Sequence, residues 1–219
     1  MVFLRKNRKR LTTIAVLFFA AVLIALGSIG LLKRYQATHN PNPAIPVQTI
    51  TYSTASPDET PPGNACDTYK VAANEPRMID LPSIGASGCI QKVGLDQHNA
   101  IAAPTNIHVA GWYTSSMLPG QKGVSVIDGH LSGRYGPAIF ANLEKLKPED
   151  KIRVQFGDES WKEFVVISLH SYPVDTVMTK LFEPSKNNKN QLNLITCDGA
   201  YDAGTKTFDR RVVVQTALL

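Results

Sequence analysis

The sequence predicts a mostly β fold: a closed eight-stranded β-barrel with one or two short helices, preceded by one N-terminal transmembrane helix. Three observations lead there. After residue 64 the chain breaks into eight short β-type runs with turn residues between them. Residues 11–32 form one uncharged, largely apolar stretch. Between the two lies a Pro-rich segment with no Lys or Arg.

Arg5, Lys6, Arg8, Lys9 and Arg10 open the chain, and Lys33 and Arg34 close the uncharged stretch. Its 22 residues, as a helix, span about 33 Å at about 1.5 Å each, enough for a ~30 Å hydrocarbon core. A signal-peptide core is shorter, roughly 7–15 residues, and no clear A-x-A-like cleavage site follows, so the segment reads as an uncleaved anchor. Five basic residues before it against two after it predict a cytoplasmic N-terminus and an extracellular remainder. From Gln36 to Asn64 there are six prolines and several Ser and Thr, a composition that favours an extended spacer over a packed core. Thirty such residues reach up to ~90 Å at about 3.1 Å each. The expected organisation is a cytoplasmic tail over 1–10, a membrane helix over 11–32, a linker over 33–64 and one folded domain over 65–219.

The β-type runs are Arg77–Leu81, Ile90–Val93, Ile107–Trp112, Val124–Ile127, Lys151–Phe156, Glu163–Leu169, Leu192–Cys197 and Arg211–Thr216. One stretch departs from them. Gly136–Leu146 has Pro137 at a helix start and Ile139, Leu143 and Leu146 at i, i+4 and i+7, which predicts a helix. The polar run 185–191 reads as a loop. Of 23 Lys and Arg, seven lie in residues 1–34, which hold no acid, leaving 16 basic against 18 acidic residues and a net charge of −2 for the rest. The overall charge of +5 therefore reports membrane topology, and with no basic recognition helix or aromatic platform it excludes a nucleic-acid partner.

There are three cysteines, Cys66, Cys89 and Cys197. Outside a membrane thiols tend to pair, and an odd one is reactive or intermolecular. Cys66 and Cys89 both lie early in the domain, where a disulfide and two unpaired thiols are both open. No C-x-x-C or H-x-x-x-H spacing exists, so no metal is assigned and no cofactor is expected. Cys197 ends an alternating run, with Leu192, Leu194 and Thr196 on one strand face and Asn193, Ile195 and Cys197 on the other. Such a thiol is either a small core hydrophobe or a nucleophile needing a base or a nearby cation. Of the five histidines, His39 falls in the linker and His98 in a polar turn, while His108 and His170 lie on strand-like runs. His130 differs, because "GVSVIDGH" delivers an imidazole to a strand–loop junction, where a rigid scaffold holds an accessible side chain. In "FDRRVVVQTALL", Arg211, Val213 and Gln215 share one face, and Arg210, Val212 and Val214 the other. The second face is the more apolar and should look into the core, leaving Arg211 as the candidate cation. Two arginines at a strand edge can equally be solvated charges.

Together these segments resemble the sortase family. "VIDGH" (126–130) is similar to the family's histidine segment, "LITC" (194–197) to its nucleophile segment and "RRVVV" (210–214) to its arginine strand. The order His, Cys, Arg fits, and smaller similarities lie in 111–130, 140–154 and 175–182. The resemblance spans roughly residues 76–219 and is closest to the class D, E and F group. Either Arg210 or Arg211 can match the family arginine; the face argument and the commoner spacing favour Arg211.

The resemblance implies a membrane-anchored cysteine transpeptidase of the cell surface. Cys197 would attack the carbonyl after the threonine of an LPXTG-like sorting signal and form a thioacyl-enzyme. His130 would act as general acid and then base, Arg211 would stabilise the oxyanion, and Thr196 would help position the oxyanion or the bound peptide. The partners implied are secreted surface proteins carrying that signal, and an amine from a cell-wall precursor or a pilin lysine. Two other readings use the same residues: an extracytoplasmic cysteine hydrolase, and an anchored, non-catalytic β-domain serving in binding, with Cys197 inert.

Overall fold

The computed structural model describes residues 57–63, 65–96, 99–205 and 207–219. The expected basic tail over 1–10, the membrane helix over 11–32 and all of the linker over 33–64 except 57–63 lie outside the described residues. Each of the eight runs forms a strand: β1 (Pro76–Leu81), β2 (Ala86–Val93), β3 (Ala110–Tyr113), β4 (Gly123–Asp128), β5 (Lys151–Phe156), β6 (Trp161–Pro173), β7 (Asn190–Asp202) and β8 (Thr207–Leu218). They close in the order β1-β2-β3-β4-β7-β8-β6-β5, with β5 pairing back onto β1. Closure leaves no unpaired edge to recruit another chain. Two pairings, β2–β3 and β4–β7, are parallel and so need crossover connections rather than hairpins. The first crossover is the 94–109 loop, and the second is the excursion through β5 and β6.

Alternation fills the barrel. In β5, Ile152, Val154 and Phe156 are buried while Lys151 and Arg153 are exposed, the period-two pattern of a strand with one wet face. The inward set includes Ile79, Phe164, Leu192, Leu194, Val212 and Val214, so β8 presents the face the alternation predicts, and the Leu192–Leu194 face is the one by which β7 enters the barrel. Eight strands enclose an interior that side chains can fill. β7 is buried on its outer face as well. There a short helix, Val177–Leu181, packs Val177 and Leu181 against Val126, Ile195 and Val213. Asn193, fully buried between them, donates from Nδ2 to the Leu181 carbonyl at 2.6 Å, which satisfies a polar group that burial would otherwise penalise.

The helix expected over 136–146 does not form. The segment is a series of turns ending in one 3-10 turn, Leu143–Lys145. Its N–H groups at Ala141, Leu143 and Leu146 bond three residues back, the tighter 3-10 pattern. Those of Ala138, Ile139 and Phe140 reach Leu131, Ile107 and His130 on other segments. Ile139, Leu143 and Leu146 are nonetheless buried as their spacing requires, and Phe140 beside them is buried too. Two α-helices are present among the described residues: α1 (Ala65–Thr68) and α2, the Val177–Leu181 helix.

Cys66 and Cys89 form a disulfide that joins α1 to β2, with Cα atoms 5.1 Å apart. The described end of the linker also packs on the barrel. Asp58 bridges Asn106, and the Glu59 carboxylate accepts the backbone N–H groups of Arg134 and Tyr135 at 2.5 and 3.0 Å. The Glu59 carbonyl lies 3.1 Å from His108 Nε2.

Candidate active site

His130 follows β4 by two residues, and both faces of the Gly129 peptide are tied to β7. The Gly129 N–H donates to the Ile195 carbonyl at 3.2 Å, and Thr196 Oγ1 donates to the Gly129 carbonyl at 2.8 Å. A side chain at 129 is excluded, since its Cβ would lie 2.5 Å from the Phe140 ring; only glycine lets the backbone pass so closely. The Phe140 N–H then donates to the His130 carbonyl at 3.0 Å. His130 is thereby held beside the Ile195–Thr196 part of β7.

Cys197 and Arg211 are direct register partners across the β7–β8 ladder. With His130 and Thr196 they line one cleft of about 190 Å³, whose remaining wall is largely apolar: Ile101, Ala103, Val174, Val177, Met178 and Ile195. The structure thus brings all four sequence-predicted residues to one cavity. Cys197 is half-buried and unpaired. Burial pushes its thiol pKa up, the Arg211 charge pulls it down and Asp128 adds to the upward shift. Burial lowers the His130 pKa, against a hydrogen bond that opposes the change. That bond runs from Nε2 to the Pro104 carbonyl at 2.7 Å. A carbonyl only accepts, so Nε2 carries the proton and Nδ1 is the free lone pair. At neutral pH the resting pair is an uncharged thiol beside an uncharged imidazole.

The two arginines part company. Arg211 donates from Nη1 to the Phe208 and Arg210 carbonyls at 2.8 and 2.7 Å and from Nη2 to Thr207 Oγ1 at 3.0 Å. It has no carboxylate partner among the described residues, and two of the five guanidinium N–H groups stay uncommitted. Arg210 turns to β6, donating from Nε to Ser171 Oγ at 2.8 Å and from Nη2 to the Ser171 carbonyl at 2.7 Å. Ser171 Oγ in turn donates to Asp198 Oδ2, next to the cysteine. Arg210 is therefore a strand tie, and Arg211 is the cation lining the cleft.

Sequence reasoning missed three participants. The Pro104 carbonyl comes from a loop with no local signal. The Ser171–Asp198–Arg210 tie needs the β6–β8 and β7–β8 registers to be known. Asp128 did carry a signal, a lone acid at the end of the buried-looking run "VSVID", and it lines the same cleft. Among the remaining histidines, His108 faces Glu59 and His170 lies 6.0 Å from the Tyr172 ring.

A thiol, an imidazole and a guanidinium thus line one cleft of a closed eight-stranded barrel. Residues 79–219 match the sortase domain family model, and the chain belongs to the sortase family. It is similar to the lid mutant of sortase A from Corynebacterium diphtheriae at 26% identity, covering 66% of this chain and 69% of that one, with a TM-score of 0.51. Sortase A from the same organism matches at 24% identity over 67% of this chain and 61% of that one, with a TM-score of 0.50. Streptococcus agalactiae sortase C1, in complex with MTSET, matches at 16% identity over 68% and 71%, also with a TM-score of 0.50. The last two likenesses concern the fold alone. No curated protein matches the chain significantly.

Proposed function

We propose that this sortase is a membrane-anchored cysteine transpeptidase of the cell surface, most akin to the class D, E and F group, acting on an LPXTG-like sorting signal. The observation that carries the reading is the single cleft shared by Cys197, His130 and Arg211. The active minority form is the thiolate–imidazolium pair, reached by moving the thiol proton to His130. Cys197 Sγ attacks the carbonyl carbon after threonine, and the oxyanion takes hydrogen bonds from the uncommitted Arg211 N–H groups. His130 gives its proton to the departing glycine amine as the C–N bond breaks, leaving a thioester. An amine then attacks that thioester, His130 accepts a proton, and the thiolate leaves.

Thr196 acts by position. Its hydroxyl is committed to the Gly129 carbonyl, so it locks the His130 turn onto the nucleophile strand. The basic cluster ahead of residues 11–32 and the Pro-rich linker support an anchored domain outside the membrane, meeting substrates that are themselves anchored; the acceptor is an amine of the cell wall or of a pilin. The test is incubation of the full-length chain with an LPXTG-type peptide and an amine. Amide product and a Cys197 thioacyl adduct by mass spectrometry are expected. Acid product at the same rate with or without amine would favour the hydrolase, and no thioacyl adduct would favour the binding domain.

A further inference from the structure

One group in the cleft has no place in that chemistry. Asp128 ends β4, two residues before His130, and lines the same cavity as Cys197. Its Oδ1 is sealed from solvent and has no hydrogen-bond partner. That oxygen packs on Gly111, its register partner on β3, where an added Cβ would lie 2.2 Å from it. The residue as a whole is half-buried, so part of it faces the cavity. No Lys or Arg among the described residues forms an ion pair with it, although Arg211, His130 and Cys197 line the same cavity along with Ile101, Ala103 and Ile195. A buried carboxyl without a partner is costly, and it persists where a ligand supplies what the fold withholds. Desolvation favours its protonated form, pushing its pKa well above the ordinary carboxylate range.

Oδ1, sealed against Gly111, is out of reach, so a partner must come from the cleft to the other carboxyl oxygen, Oδ2, which is not sealed. The partner that fits is a cation that can donate hydrogen bonds. Building on the transpeptidase reading, we propose that Asp128 receives the acceptor: it binds a primary ammonium in the cleft and takes the proton that must leave before the amine can attack. A primary alkylamine is almost fully protonated at neutral pH, a lysine side chain having a pKa of about 10.4, and in that form it is no nucleophile. The ammonium enters as Asp128 yields its own proton to solvent, forming a carboxylate–ammonium pair. One N–H proton then moves to Asp128, and the freed nitrogen lone pair forms the C–N bond at the thioester carbon. The second proton goes to neutral His130, the C–S bond breaks, and Cys197 departs as thiolate. Charge and protons balance without a further reagent.

The test compares two nucleophiles on the thioacyl form of the full-length chain in detergent micelles, loaded with an LPXTG-type peptide. Methylamine is charged at neutral pH and hydroxylamine is not. Asp128→Asn should lower the methylamine-to-hydroxylamine product ratio by on the order of 10²-fold, in the range for loss of a proton-transfer group. An unchanged ratio, or an equal fall with both nucleophiles in a folded variant, overturns the proposal. The wild-type chain gives an independent reading should the variant misfold: the methylamine rate should saturate and the hydroxylamine rate stay linear. Linear dependence on methylamine overturns the proposal. Wild-type chain that forms no thioacyl adduct sinks the transpeptidase reading, and this inference with it; a ratio unmoved in active enzyme removes the inference alone.

Discussion

Cys197 and His130 shift in opposite directions, and both shifts favour the uncharged form. The Cys197 thiol therefore ionises above its ordinary value of 9.0, so iodoacetamide modification of the native chain should keep rising into that alkaline range. Because the Arg211 charge favours the thiolate, Arg211→Ala should move the curve to still higher pH; movement to lower pH would break the assigned coupling. In turnover, Cys197→Ala should abolish thioacyl formation. His130→Ala should lose about 10²–10⁴-fold, and Arg211→Ala about 10²–10³-fold. Arg210→Ala should differ in kind. It removes two bonds to Ser171 and should lower stability by roughly 1–3 kcal/mol in chemical unfolding, with a smaller effect on turnover at a temperature where the variant is folded. Near-normal transpeptidation in folded His130→Ala, or a dead Arg210→Ala beside an active Arg211→Ala, would overturn these assignments.

At the scale of elements, the proposed catalytic geometry rests on the contact between the end of β4 and β7. Thr196→Val should leave the Gly129 carbonyl unsatisfied at a cost of about 1–3 kcal/mol and lower kcat more than it raises KM, whereas Thr196→Ser should restore both. A Ser variant as impaired as the Val variant would argue against the hydroxyl bond as the cause. The linker end is a second such element. Glu59 holds the N–H groups of Arg134 and Tyr135, in the loop that follows His130. Glu59→Ala should destabilise the domain by roughly 1–2 kcal/mol in urea unfolding; an unchanged midpoint would make the contact incidental. The strands were legible because period-two alternation depends only on near neighbours and a buried face. The segment 136–146 was not, because its apolar spacing suits a helix while its backbone donors are taken by Leu131, Ile107 and His130. Helix α2 was hidden for the complementary reason: five residues are too few for periodicity to show, and burial against Ile195 and Val213 forms it.

For the whole molecule, the Cys66–Cys89 bridge fastens the N-terminal end of the domain to the barrel across a separation of 23 residues. Closing a loop of that size is worth about 3 kcal/mol by the chain-entropy estimate, and reduction should lower the unfolding free energy by about that amount while leaving thioacyl formation detectable. Loss of all activity on reduction, with Cys197 kept free, would mean that the bridge also shapes the site. The proposed topology has its own measurement: protease added to intact cells should release a fragment cut within 36–56, with Asp58 and Glu59 still attached. A domain protected in intact cells would overturn the extracellular placement.

The sequence by itself determined the strands, the face of β8 that enters the barrel and, through the family resemblance, three separate segments that carry His130, Cys197 and a pair of arginines. The first two follow from local rules: alternation and turn residues. Tertiary structure decided what those rules cannot reach. Pairing of Cys197 with Arg211 and of Asp198 with Arg210 depends on the β7–β8 register, set by residues far apart in the chain. The same register sends Arg210 to Ser171 and leaves Arg211 in the cleft. The disulfide needed two Cα atoms brought to 5.1 Å, and the protonation of Cys197, His130 and Asp128 needed burial, since desolvation is a property of the assembled cleft and not of any residue in it.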